Sequence, residues 1–301
     1  MKPAKLSIQL PTQDLTAGDI VGKAFRIARL NWRVFFQIFL LPNLCALLGS
    51  DAIFWAAEKE YVPRPIAYGV IAASAMLMFF AVWEIAVRKQ ALLNLIAQDK
   101  FDLRECLVEA KKNSAKILVM ISPVIMIEFL TNGGTLIALI FLKQASGEGI
   151  GREANATIGM VILGLLLLSI IPSTILSVSN TFFLTIYANE QQGIWATLVR
   201  FFNLVKQELV LCFIYVLLMV AACMIIILAT FIEMPFEWLP KSWLTDFGAL
   251  LTGLIFVGPI QAFFTAATTV GSAMLYKQIR ARHDGSDLIE RLSMLETETQ
   301  K

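Results

Sequence analysis

The sequence predicts an all-α integral membrane protein with six spanning helices and both termini in the cytoplasm. Three observations carry that expectation. Of 301 residues, 57% are hydrophobic and 16% charged, against about 45–50% and about 25% in average soluble domains. The excess lies in long unbroken runs, Ile158–Ile171 and Leu209–Ile232 among them, of the order of the about 20 residues that a spanning helix needs. Outer-membrane strands would instead be about 10 residues of strict alternation, a pattern absent here. The third observation is where the basic residues lie. Of 25 Lys and Arg, 20 fall in the N-terminal arm to Arg33, in 88–116, in 186–208 and in the tail from Lys277. The remaining loops hold Lys59, Arg64, Lys143, Arg152 and Lys241. By the positive-inside rule the first set is cytoplasmic.

The elements follow in order. Residues 1–15 read as a polar arm. The first thirty or so residues lack a short apolar core with a small-residue cleavage site, so no cleavable signal peptide is expected. Thr16-Ala17-Gly18-Asp19 is a helix-start pattern, in which Thr16 caps the backbone and Asp19 faces the helix N-terminus. From Ile20 to Trp32 the pattern is amphipathic. At about 100° per residue, Asp19, Lys23, Arg26, Arg29 and Arg33 share one arc of about 120°. Such a basic stripe opposite an apolar face predicts a helix lying in the membrane interface, with anionic lipid headgroups as partners. A helix packed on the protein's own loops is the alternative.

Spanning helices are expected at 34–57, 66–87, 116–142, 157–187, 208–232 and 247–276. They form a membrane domain over 16–276, followed by a charged cytoplasmic tail over 277–301. Residues 88–115 read as a long cytoplasmic connection. Amphipathic segments are expected near 19–33, 101–115 and 189–207. The order of one amphipathic segment and two spanning helices is thus expected three times, with a period of roughly 80–90 residues; a triplicated unit, or the ordinary alternation of long inner and short outer loops, accounts for it. A shift of 83 places Asp19 on Asp102, Asn31 on Ser114 and Arg33 on Lys116, with Pro42 and Pro123 two residues apart. Trp32, Trp55, Trp83, Trp238 and Trp243 fall near expected helix ends, where interface anchors belong.

Chemistry-bearing patterns are few. Cys45, Cys106, Cys212 and Cys223 include no CxxC pair, and read as small apolar residues. The single histidine, His283, lies in the tail. No catalytic, metal or cofactor motif emerges, and a net charge of +2 implies no nucleic-acid partner. Glu128 is the residue that most invites a function. It lies twelve positions after Lys116, about 18 Å along its helix, near the bilayer midplane. An ionisable group there costs at least about 2.5 kcal/mol. Pro123 precedes it and Asn132-Gly133-Gly134 follows, so the helix is weakened on both sides, as in broken transporter helices. The alternative is a protonated clasp to a neighbouring helix.

Two polar stripes accompany it. One is Ser169, Ser173, Ser177 and Thr181, with Asn180 beside them. The other is Gln261, Thr265, Thr268, Thr269 and Ser272, after Gly258-Pro259. They fit either a polar path or, more often for such stripes, helix-packing faces. The candidate intramembrane site is therefore Glu128, Asn132, Ser173, Ser177, Asn180, Gln261 and Thr265. Glu84 and Arg88 read as a partly solvated pair one turn apart.

The run from Leu15 to Phe36 has Gly18-Asp19-Ile20, Ala24-Phe25, Arg29, Trp32 and Phe35-Phe36. It resembles the opening of a bacterial membrane-domain family found alone or fused to glycerophosphoryl diester phosphodiesterases. Tyr187-Ala188-Asn189-Glu190, followed by Ala196, Arg200, Leu204 and Lys206, is similar to that family's second recurring segment. Asn189, Gln191 and Asn203 depart from it. The resemblance implies a stand-alone membrane module and transfers no catalytic residue, because the soluble segments are too short for a barrel enzyme.

The functional expectation is a non-enzymatic module of a bacterial inner membrane, handling lipid or a small solute, transport included, or organising the envelope. Two alternatives are a scaffold that binds a protein partner through its amphipathic segments, and a membrane-embedded lipid-modifying enzyme. The enzyme would need a second catalytic group at the depth of Glu128.

Overall fold

The computed structural model describes residues 15–58, 63–97, 102–123, 126, 172, 174–230, 248 and 251–284. Every element among them is helical. The helices are α1 (Ala17–Leu30), α2 (Trp32–Glu58), α3 (Arg64–Ala97), α4 (Leu103–Lys112), α5 (Ser114–Pro123) and α6 (174–190). Then come α7 (Ile194–Gln207), α8 (Leu209–Thr230) and α9 (Gly258–Asp284), the last entered through a π-helical turn at Gly253–Val257. Three stretches are long and apolar enough to cross a bilayer: Trp32–Ile53, Arg64–Ala97 and Gly253–His283. The bent pair α7 and α8 is a fourth if taken as one span. The protein has an all-α membrane fold. Most of the expected third and fourth spans lies outside the described residues.

Local chemistry explains the ends and bends. The Thr16 hydroxyl accepts from the Asp19 amide at 3.2 Å and donates to Asp19 Oδ2 at 2.7 Å, while the Thr16 amide donates to the same carboxylate at 3.1 Å. This reciprocal cap satisfies amides that the first helical turn leaves open. Asp102 caps α4 by accepting from the Arg104 amide. Pro42 lies inside α2 and has no N–H, so the Ile38 carbonyl four residues back loses its helical donor. Arg88 of α3 supplies one, donating Nη1 to Ile38 O while its Nε pairs with Glu84 at 2.8 Å. Pro259 poses the same problem in α9. There the π-helical turn precedes it, with the Gly258 amide donating to Gly253 O, and this wider turn relieves the clash between the proline ring and the carbonyl four residues back.

The α2–α3 hairpin is the largest helix pairing among the described elements, and α9 packs on α2. Gly49 lets α2 approach α3, since a Cβ there would sit 2.6 Å from Met78 Cγ and 3.1 Å from Ser74 O. The outer flanks of these helices expose apolar side chains, including Met76 and Phe80 on α3 and Val210, Phe213 and Leu217 on α8. Such contiguous apolar surface suits lipid and is rare on soluble proteins.

The threefold order of elements has a structural counterpart in a shifted register. One residue separates each amphipathic helix from the helix that follows: Asn31 after α1, Asn113 after α4 and Glu208 after α7. In each case the joint amide donates back to a carbonyl four residues earlier, from Ile27, Glu109 and Leu204. The Asn31 and Asn113 side chains repeat the bond with Nδ2. Beyond the joint the same positions are buried: Phe35, Ile38 and Phe39 in α2, and Ile117, Met120 and Ile121 in α5. Cys212 and Tyr215 occupy the first two of these positions in α8. The equivalence is thus Asn31 with Asn113, a shift of 82 rather than 83. Asp19 and Asp102 are not equivalent, since Asp102 is an N-cap and Asp19 lies inside the first turn. Acidic residues serve a helix start from either position, and this is why the sequence pattern aligned them.

Two of the amphipathic helices pack on the helix that precedes them in the chain. α4 lies on α3. α7 lies on α6 through Phe201, whose ring is 5.8 Å from Phe182 and 6.2 Å from Phe183. α1 packs on α9 and α8. Phe25 stands edge-on to Phe264 at 5.3 Å there.

The cytoplasmic connection expected from residue 88 begins instead as helix: α3 runs on to Ala97, and Lys89 to Ile96 are all buried. α9 likewise continues past Tyr276 to Asp284, so the charged tail, expected to be part helical, starts as helix. Charged and amide side chains were taken as marks of a helix leaving the membrane. Here the helices continue, because other helices surround those side chains and supply partners.

Candidate functional site

The continuations of α3, α6 and α9 meet at the basic end of the bundle, where α1, α4 and α7 lie around them. Their polar side chains are buried there: Lys89, Gln90 and Asn94 from α3, Thr181 and Thr185 from α6, Gln278 from α9. Buried polar groups must be bonded or they cost about 1–3 kcal/mol each, and most of these are. Lys89 Nζ donates to Thr181 Oγ1 at 3.1 Å, linking α3 to α6. Gln90 Nε2 donates to Asn94 Oδ1 at 2.8 Å.

A second cluster centres on Glu190, at the end of α6. Its Oε1 accepts from Arg200 Nε of α7 at 3.1 Å and from the Tyr276 hydroxyl of α9 at 2.8 Å. Arg280 lies close enough to act on Tyr276 electrostatically. One carboxylate thus fastens three helices from two units. A third cluster sits at the α7–α8 joint, where Glu208 meets Arg282 at 3.5 Å and His283 at 3.1 Å. The lone histidine, expected in the polar tail, holds the end of α9 to that joint.

The expected intramembrane site is only partly described. Glu128, Asn132 and Ser173 lie outside the described residues. The others are used mainly within their own helices. Thr265 donates to the Gln261 carbonyl at 2.8 Å, and Thr268 and Thr269 donate to the Thr265 carbonyl at 2.9 and 2.6 Å. In α6, Thr181 donates to Ser177 O, Thr185 to Thr181 O and Asn189 to Thr185 O. The four-residue stripe therefore continues toward the basic end, past Thr181, to positions the sequence reading did not include. Hydroxyls bonded back to their own helix make a compact packing face. Asn180 differs, with a buried Oδ1 that has no hydrogen-bond partner among the described residues.

The basic face of α1 is arranged otherwise than expected. Ile20, Ala24 and Ala28 have no exposed surface, because this apolar face packs on α8 and α9 rather than on lipid. Arg26, Arg29 and Arg33 are exposed and Lys23 is half-buried. Trp32 is also exposed, and the Arg33 guanidinium stacks over it at 5.5 Å, a cation–π pair. The hydrogen bonds from Thr16 hold the Asp19 carboxyl below its ordinary value, so it stays ionised at the head of this helix.

The sequence reading missed Lys89, Gln90 and Asn94 as buried groups. The signal was present in Leu92, Leu93, Leu95 and Ile96 just beyond them, which are too apolar for a solvated loop. It also missed Trp195, the one tryptophan far from any expected spanning-helix end. A shallow groove of about 340 Å³ follows α4 between Asp102, Arg104, Glu105, Val108, Glu109 and Lys112. Its charges alternate along one helix without converging on a point. Among the described residues, no three of His, Cys, Asp or Glu gather where a metal ion could sit.

Comparison with protein-family models, with curated proteins and with solved structures gave no match. The resemblance of the Leu15–Phe36 and Tyr187–Lys206 stretches to a membrane-domain family therefore rests on those residues alone.

Proposed function

We propose that this chain is a six-span, non-enzymatic module of a bacterial inner membrane, with both termini cytoplasmic, whose basic end engages anionic lipid headgroups. One observation carries the reading. α1 buries Ile20, Ala24 and Ala28 against α8 and α9, and so holds Arg26 and Arg29 outward on a fixed rim, beside the exposed Arg33 of α2. That rim lies beside the start of α2, with Trp32 and Arg33 at the joint. A polar residue pattern that is merely solvated has no need of so rigid a mount. Each basic side chain near an anionic leaflet contributes about 1 kcal/mol. The uneven distribution of Lys and Arg supports the orientation, and the repeated joint geometry supports three equivalent units with two spans each.

Spin-labelled phosphatidylglycerol and phosphatidylcholine, added to the full chain in nanodiscs, measure its preference among first-layer lipids. The unaltered protein is expected to select phosphatidylglycerol several-fold, and R26Q/R29Q/R33Q to lose most of that selectivity with the thermal midpoint unchanged. Equal immobilisation of both lipids by the unaltered protein would falsify the headgroup reading. Orientation has its own test. Single cysteines at Ser146 and Ser286, in a background without native cysteines, meet an impermeant thiol reagent in whole cells. Labelling is expected at 146 and not at 286, and the reverse pattern inverts the topology.

A further inference from the structure

α7 presents a different kind of surface. Thr197 and Leu204 are buried against the protein, and Phe201 packs on α6. Yet Trp195 is 76%, Val199 46% and Phe202 61% exposed. At about 100° per residue these three fall in one arc of about 60°, next to the half-buried Leu198 and Val205. Lys206 lies within that arc. The polar positions Arg200, Asn203 and Gln207 fill a separate arc of similar width on the other side of the buried face. α7 thus has a protein face, an apolar face and a polar face, where a helix between protein and water would need only two.

The bend supplies the direction. α7 meets α8 at 95°, with only Glu208 between them. If α8 stands across the bilayer, α7 lies in its plane. The exposed apolar flank of α8 begins at Leu209 and Val210, immediately past the joint, so exposed apolar surface lies on both arms of the bend. An aromatic stripe with one exposed Lys among it, a residue type able to lay its stem on apolar surface and reach water with its ammonium, matches a helix in the headgroup–acyl boundary.

We infer that α7 is an in-plane membrane anchor, its occupant the acyl boundary of the lipid monolayer, bound through Trp195, Val199 and Phe202. The inference rests on α8 spanning the bilayer, and it is independent of headgroup charge. The Glu190–Arg200 pair and the Tyr276 hydroxyl on Glu190 then hold this anchor to α6 and α9, so that its depth is set by the bundle.

Nitroxide labels at 195, 199, 202 and 203, one at a time in a cysteine-free full-length chain, report depth by electron paramagnetic resonance. The protein is placed in nanodiscs of phosphatidylcholine alone, so that loss of headgroup selectivity cannot affect the result. Labels at 195, 199 and 202 are expected to collide with oxygen several-fold more than with a water-soluble nickel chelate, and the label at 203 is expected to show the opposite ratio. An aqueous ratio at all four positions overturns the inference. So does exclusion of both colliders at 195 and 202, which would mean that a second protein surface covers the stripe. Thermal melts of each labelled chain establish that the fold is intact before the ratios are read.

Discussion

α1 and α7 occupy the same place in their repeating units, each joined to the next helix by one residue, yet they meet their surroundings differently. α1 has a complete protein seat. Small side chains at Ala24 and Ala28 let it press on α8 and α9 until no apolar surface remains on that face. α7 has a narrower seat, supplemented by the Glu190–Arg200 pair, and leaves its aromatic residues outside. Two amphipathic segments of similar sequence character therefore divide the work. α1 shows Arg26 and Arg29, with Leu30 at its end, and α7 shows the stripe of Trp195, Val199 and Phe202. The difference comes from side-chain size on the inner face and from the width of the apolar arc.

The largest expected contrast comes from one substitution made in both helices. Ala24→Asn places an amide in a site with no space and no partner, and is expected to cost about 2–4 kcal/mol. Val199→Asn is expected to cost less than about 0.5 kcal/mol in detergent. Thermal unfolding followed by size-exclusion chromatography reads both, and equal losses would erase the distinction between the two seats.

Next in size is the ionic clasp that α1 lacks. Glu190→Ala leaves Arg200 and the Tyr276 hydroxyl without their shared acceptor, at an expected cost of about 1–3 kcal/mol. Tyr276→Phe is expected to reproduce only part of that loss. A loss equal to that of Glu190→Ala would mean that the carboxylate acts through Tyr276 alone.

Helix starts differ as well. α1 has a side-chain cap from Thr16, and Thr16→Ala is expected to cost about 1 kcal/mol. α7 begins at Gly193, which has extended backbone, no side-chain cap and open space where a Cβ would stand. Gly193→Asp is therefore expected to stabilise by a few tenths of a kcal/mol.

The smallest effect depends on pH. Asp19 has a lowered carboxyl pKa because Thr16 bonds favour its ionised form. Its contribution is present above the ordinary carboxylate value and fades as pH falls through the lowered one. Thermal midpoints of the unaltered chain and Asp19→Asn are expected to differ near neutral pH and to converge in strong acid. A constant gap would locate the effect in shape rather than charge.

Several features were legible in the residues. The α1 start followed from Thr16 and Asp19, since a capping box is a local exchange of hydrogen bonds. The recurring order of elements followed from apolar run length, which depends only on bilayer thickness. The repeat register was off by one because Asp19 and Asp102 look alike while serving different positions, whereas Asn31 and Asn113 mark the equivalence through their joint geometry. The buried groups Lys89, Gln90 and Asn94 were read as part of a cytoplasmic connection, since single-residue polarity cannot report who will stand beside it.

By itself the sequence pointed to a membrane protein, to the apolar stretches of α2, α3 and α9, and to the start of α1. Those properties depend on neighbours along the chain or on the solvent, and both can be read from one dimension. The tertiary structure decided which face of α1 is covered, that α3 and α9 continue beyond their apolar stretches, and that Glu190 joins α6, α7 and α9. Each of these depends on a side chain supplied from tens of residues away, as when Arg88 of α3 takes the Ile38 carbonyl that Pro42 sets free. Pro42 made that vacancy predictable, but only packing could choose the donor.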